Sequence, residues 1–144
     1  MTEITARQKT LYPRHAADRH LVDPVAFFIA MIGGPGLVGL IGFPTFVFPV
    51  ATAMGGPVYL IVGIPVMLIY MAQHRVTPYD WAWLALVTHL AVFLPIFLIA
   101  VLTEGNVDGS SLYLVFGCFF APLWGCISGT LYAALERDFY KQTL

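Results

Sequence analysis

His89 is the only side chain well inside an apolar segment of this 144-residue chain that can change charge near neutral pH. Ionisable groups at such depth in a membrane usually point into a helix bundle, where they relay protons or hold hydrogen bonds. An imidazole can also ligate a haem iron. The other axial ligand would then have to come from a second copy or a partner, because no further histidine lies in an apolar segment. The plainer reading is a neutral ring bonded to a Thr, a Ser or a freed carbonyl, which makes His89 a possible intramembrane polar site. Other chemistry is hard to assemble. Cys118 and Cys126 are eight residues apart, about 80° round a helix and about 12 Å along it, too far for a mutual disulfide. His15 and His20 do not match a helical metal-binding spacing. There is no CxxC, HExxH, Walker, Ser/His/Asp or paired-carboxylate arrangement. The expectation is a protein that is not an enzyme and carries no metal and no cofactor.

A second constellation concerns packing. Gly117, Ala121, Gly125, Gly129 and Ala133 recur every four residues, and Gly125-Cys-Ile-Ser-Gly129 is itself a GxxxG. Residues four apart share a helix face, so the five form a smooth groove that lets another backbone come close. The occupant is either a helix of the same chain or, at an interface, a second copy or another membrane protein. In both cases the groove faces away from lipid.

The elements that must position these residues follow from composition. Hydrophobic residues make up 59% of the chain and charged ones 10%, against about 25% charged in soluble domains. Val25 to Met71 runs for 47 residues without a formal charge. One span needs about 20, so this run reads as a helical hairpin. Ala53-Met-Gly-Gly-Pro57 is the expected turn, since two glycines and a proline favour one. Asp23-Pro24, Gly56-Pro57 and Thr77-Pro78 read as helix starts, with Ser110 or Ser111 capping the last helix. The fold expected is an all-α integral membrane protein, a proline-bent bundle of four transmembrane helices. It divides into a basic tail over 1–22, a transmembrane domain over 23–136 with spans at about 24–48, 57–72, 78–103 and 111–135, and a tail over 137–144. Each span carries an interior proline, Pro44, Pro65, Pro95 or Pro122, which frees a backbone carbonyl. Aromatic residues are expected at the two interfaces: Tyr70, Tyr79, Trp81, Trp83 and Tyr132 at one, Tyr59 and Tyr113 at the other. Trp124 falls mid-helix, against that pattern. Gly33-Gly34-Pro35 recurs as Gly55-Gly56-Pro57, and Gly42-Phe-Pro44 as Gly63-Ile-Pro65, an echo of the kind internal duplication leaves and apolar Gly/Pro-rich segments also produce by chance.

Charge sets the expected orientation. Arg7, Lys9, Arg14 and Arg19 precede the first span, Arg75 lies between the second and third, and Arg137 and Lys141 follow the fourth. Glu104-Gly-Asn-Val-Asp-Gly-Ser-Ser111 carries two acids and no base. Basic residues are retained on the cytoplasmic side, so both termini are expected there, in a membrane of the bacterial inner-membrane type. The first span starts late and is full length, which suits an uncleaved signal anchor. The basic tail suits anionic lipid headgroups and is too sparse for nucleic acid. With no sizeable external domain, the expected role is a structural or accessory subunit. It would pack against a larger membrane complex or itself, with the lipid bilayer as its other partner. A small transporter or channel using the bent helices and His89 is the main competitor, and haem or pigment binding through His89 a further one.

Overall fold

Asp23 opens the first helix as its side chain requires. Its Oδ1 accepts the backbone N–H of Val25 at 2.9 Å and of Ala26 at 3.2 Å, and Pro24 takes the position where a missing N–H costs nothing. In the computed structural model, which describes residues 22–103 and 108–141, four helices follow: α1 Pro24–Ile41, α2 Val47–Met71, α3 Pro78–Thr103 and α4 Asp108–Lys141. All four are long and apolar enough to cross a bilayer. The chain is a small multi-pass membrane protein, an all-α bundle. The start of α3 is a reciprocal cap: Asp80 Oδ2 accepts from the Thr77 N–H at 2.7 Å and the Thr77 hydroxyl at 2.8 Å, while the Asp80 N–H donates to Thr77 Oγ1. α4 starts at Asp108, before either serine, and the Ser111 hydroxyl donates to the Asp108 carbonyl at 3.0 Å. Arg7, Lys9, Arg14, Arg19, His15 and His20 lie outside the described residues, as do 104–107.

The turn between the first two helices is not at Ala53–Pro57. It lies upstream, where Phe43–Thr45 makes one short 3-10 turn and Phe46 takes a left-handed conformation at φ 57°. The Thr45 hydroxyl donates to the Gly42 carbonyl at 2.7 Å and fixes the reversal. Pro44 therefore sits in the turn and not inside a helix, whereas Gly55, Gly56 and Pro57 are interior to α2. Pro35, Pro57, Pro65, Pro95 and Pro122 are the helix-interior prolines among the described residues.

α4 is the hub. It packs along α3 on one side and along α1 on the other, while α2 leans mainly on α1 and touches α3 and α4 little. Glycine makes the α1–α4 approach possible. A Cβ on Gly34 would run into the Ser128 side chain and lie 2.9 Å from the Trp124 carbonyl oxygen. A hydroxyl stitches α1 to α2, Thr52 Oγ1 donating to the Pro35 carbonyl at 3.3 Å.

Packing is uneven along the bundle axis. At the end formed by the start of α1, the end of α2 and the start of α3, Phe27, Met31, Met67, Met71, Trp81 and Tyr132 form a closed core. The Trp81 ring sits 5.8 Å from Phe27 and 5.7 Å from Tyr132, centroid to centroid. Trp81 and Tyr132 are thus core residues at that end instead of interface anchors, while Tyr79 and Trp83 are exposed as anchors would be. Toward the other end the core thins to Val38, Phe120 and Trp124. Val47 and Val50 of α2, Ile96 and Leu98 of α3, and Leu112 and Val115 of α4 are all exposed.

Candidate functional site

The small-residue stripe of α4 faces α3. A Cβ on Gly129 would lie 2.8 Å from the Pro78 Cα, and one on Gly125 would lie 2.9 Å from the Trp81 carbonyl carbon and 3.0 Å from the Ala82 Cα. Those are backbone atoms, which cannot swing aside, so both glycines are what lets the two helices touch. Ala121 is buried and Ala133 half-buried on the same face. Gly117 has a different neighbour: a Cβ there would collide with the imidazole of His89. The stripe and His89, unrelated in sequence, meet at this position.

His89 is half-buried between α3 and α4. Its Nε2 lies 3.2 Å from the Leu114 carbonyl oxygen. A carbonyl only accepts, so Nε2 carries the proton, and Nδ1 is the acceptor of the neutral ring. The ring stacks on Phe93 at 4.6 Å, and Phe93 stacks on Tyr113 at 5.9 Å. Held by Gly117, Leu114 and Phe93, the imidazole is a fixed polar point in an apolar wall.

That wall borders a cavity of about 430 Å³ between α2 and the α3–α4 pair. Met54, Val58 and Val62 line it from α2, and Ala85, Thr88 and His89 from α3. Trp124 of α4 also lines it, buried at 3% exposure. Comparison with family models, with curated proteins and with solved structures returns no match. The site must therefore be read from its own chemistry. The lining is almost entirely apolar, with many aromatic rings, and its size falls within the range of small-molecule pockets. The closed core around Trp81 seals the bundle beyond it.

Trp124 was the aromatic residue out of place in the interface pattern. It is a core residue because Gly55 makes room for it: a Cβ on Gly55 would lie 2.8 Å from the indole Cη2. Tyr59 meets the indole edge-on at 5.6 Å, and Phe120 lies 5.7 Å away. Tyr59 is accordingly half-buried in the bundle instead of anchoring an interface. Both Gly-Gly-Pro segments thus lie inside helices and present a glycine to α4, Gly34 to Ser128 and Gly55 to Trp124. The echo in sequence has a shared use, the close approach of a helix. Cys118 is exposed, Cys126 half-buried, and both are free thiols.

The single bond of His89 sets an expectation. His89→Gln keeps expression and assembly, because the glutamine amide can donate to the Leu114 carbonyl. His89→Leu loses some of both, by about 0.6 kcal/mol, the average for a hydrogen bond between membrane helices. Thermal inactivation in mild detergent distinguishes the two. Normal assembly of the glutamine variant with loss of an activity or a chromophore would instead place His89 in an active site.

Proposed function

We propose that the protein is a non-catalytic structural or accessory subunit that packs within a bacterial-type inner membrane against a larger complex or a second copy of itself. Both termini lie in the cytoplasm in this reading. The observation that carries it is the chemistry of the bundle interior. Within that interior Thr52 and His89 each engage a backbone carbonyl, and the cavity is lined almost wholly by apolar side chains. An ion or solute path needs a succession of polar groups. Because the stripe is occupied by α3, an outside partner would dock on other surfaces, and the unevenly packed faces of α2 and α3 are the most extensive apolar ones.

The cavity favours one alternative, a small transporter with His89 beside its substrate, and that reading requires the closed end to open. Haem ligation is less well supported, because Nε2 would have to leave the Leu114 carbonyl and Gly117 packs against the ring. Purification of the tagged protein in mild detergent, with mass spectrometry of co-purifying subunits and an absorption spectrum, tests the accessory reading. A partner in fixed stoichiometry is expected. A lone species that moves a solute in vesicles would overturn it.

Orientation is tested separately. With Cys118 and Cys126 replaced by alanine, single cysteines at Thr5, Val107 and Thr143 report which side each segment occupies. The expected result is reaction of the Val107 probe alone with an impermeant reagent in intact cells. Reaction at either terminus removes the topology.

A further inference from the structure

The cavity between α2 and the α3–α4 pair needs an occupant, and its dimensions select among candidates. A helix about 10 Å across takes up roughly 1,200 Å³ over half of a hydrocarbon core about 30 Å thick. The cavity holds about 430 Å³. It admits a single chain or a small ring and not a transmembrane segment of a partner. Its rim residues Phe46, Val50 and Leu112 are exposed at the open end of the bundle, whereas Trp124 is buried. A molecule dissolved in the bilayer can therefore enter at that end.

Polar groups on the wall narrow the class further. No Lys or Arg lines the cavity, so an ionised headgroup would be buried without a counter-charge, which is strongly unfavourable. On α3, Thr88 and His89 are adjacent lining residues. Among the described residues the Thr88 hydroxyl makes no hydrogen bond, and His89 uses only Nε2. An acceptor nitrogen and a free hydroxyl on consecutive residues of one cavity wall suit a group that both donates and accepts. A hydroxyl does this, a ketone only accepts, and an alkane does neither.

We infer that this cavity is a binding site for a neutral, single-chain lipid-phase alcohol, its chain between α2 and α4 and its hydroxyl at Thr88 and His89. The alcohol donates to His89 Nδ1 and accepts from the Thr88 hydroxyl, while the aromatic wall surrounds the chain. The site goes beyond the accessory role, and its occupancy is independent of whether a partner subunit exists.

The test uses full-length protein in alkyl maltoside micelles, with Trp83→Phe to remove the exposed indole. Trp81 is shielded in the closed core, so Trp124 reports on the cavity. The probe is undecanol brominated at its terminal carbon, which quenches an indole on contact. Expected is saturable quenching, reversed by unbrominated undecanol. Bromoundecane and brominated undecanoate bind about tenfold more weakly or worse, the factor associated with one net hydrogen bond. Val58→Phe and Ala51→Phe fill the cavity and weaken binding. Thr88→Val keeps its volume and weakens only the alcohol, about tenfold, so the inference stays testable if the larger variants fail to fold. Quenching that rises without saturation, or that is indifferent to headgroup and to Thr88→Val, would overturn the assignment.

Discussion

Gly125→Leu and Gly129→Leu each separate α3 from α4 and cost the bundle most of its resistance to unfolding. The neighbours of both positions are backbone, the Trp81 carbonyl and Ala82 Cα for Gly125 and the Pro78 Cα for Gly129. A four-carbon side chain can enter only if the helices move apart, and lipid offers no hydrophobic drive to bring them back. Overpacking typically costs about 1–3 kcal/mol where side chains can yield. Here they cannot, so the loss should reach or exceed that range. Leu123→Ala, at a half-buried position next along the helix, should cost less, since it forfeits only dispersion contacts. The measurement is unfolding in mixed micelles with limited proteolysis alongside. If both leucine variants unfold and resist protease like the parent chain, the α3–α4 contact is not what holds the bundle.

Trp124→Ala is expected to cost roughly 3 kcal/mol, the low end of the range for removing a buried aromatic from a soluble core. The low end applies because leaving water contributes nothing within a bilayer, and the loss is of packing alone. The indole is in contact with Tyr59 and Phe120 and is seated on Gly55, so its removal enlarges the cavity and loosens α2. Trp124→Phe should cost far less. Among the described residues the indole N–H has no hydrogen-bond partner, so a phenyl ring gives up contact area but no bond. The same mixed-micelle unfolding curve separates the two variants. A phenylalanine variant as unstable as the alanine one would mean that the indole nitrogen matters.

Four long apolar helices were legible because length and hydropathy alone define a span. The first turn was not. Gly-Gly-Pro at 55–57 and Gly-Phe-Pro at 42–44 carry the same turn chemistry, and inside a membrane glycine and proline are tolerated within helices. Length separates the two. A second span over 57–72 falls just short of the roughly 17–25 residues a crossing needs, whereas a turn at 42–46 leaves α2 25 residues. The small-residue stripe could be read from its period, but the period does not say which helix fills it. The cavity left no signal, because it arises from α2 standing away from α3 and α4, a relation among three helices that no local pattern encodes. Trp124 signalled in the negative, an aromatic residue at a depth where anchors do not sit. The glycine that seats it lies in what read as a turn.

Of the four helices, the hub is synthesised after the other three. While α1, α2 and α3 leave the ribosome and enter the bilayer, neither of the two largest helix contacts can form, since both involve α4. Until then Gly33 and Gly34 lack the helix they approach, and native contacts between helices are limited to those of α2 with α1, including the Thr52 stitch, and with α3. The essential step of bundle assembly therefore waits for α4. A chain cut just short of residue 108 keeps α1, α2 and α3 but neither of the two largest helix contacts.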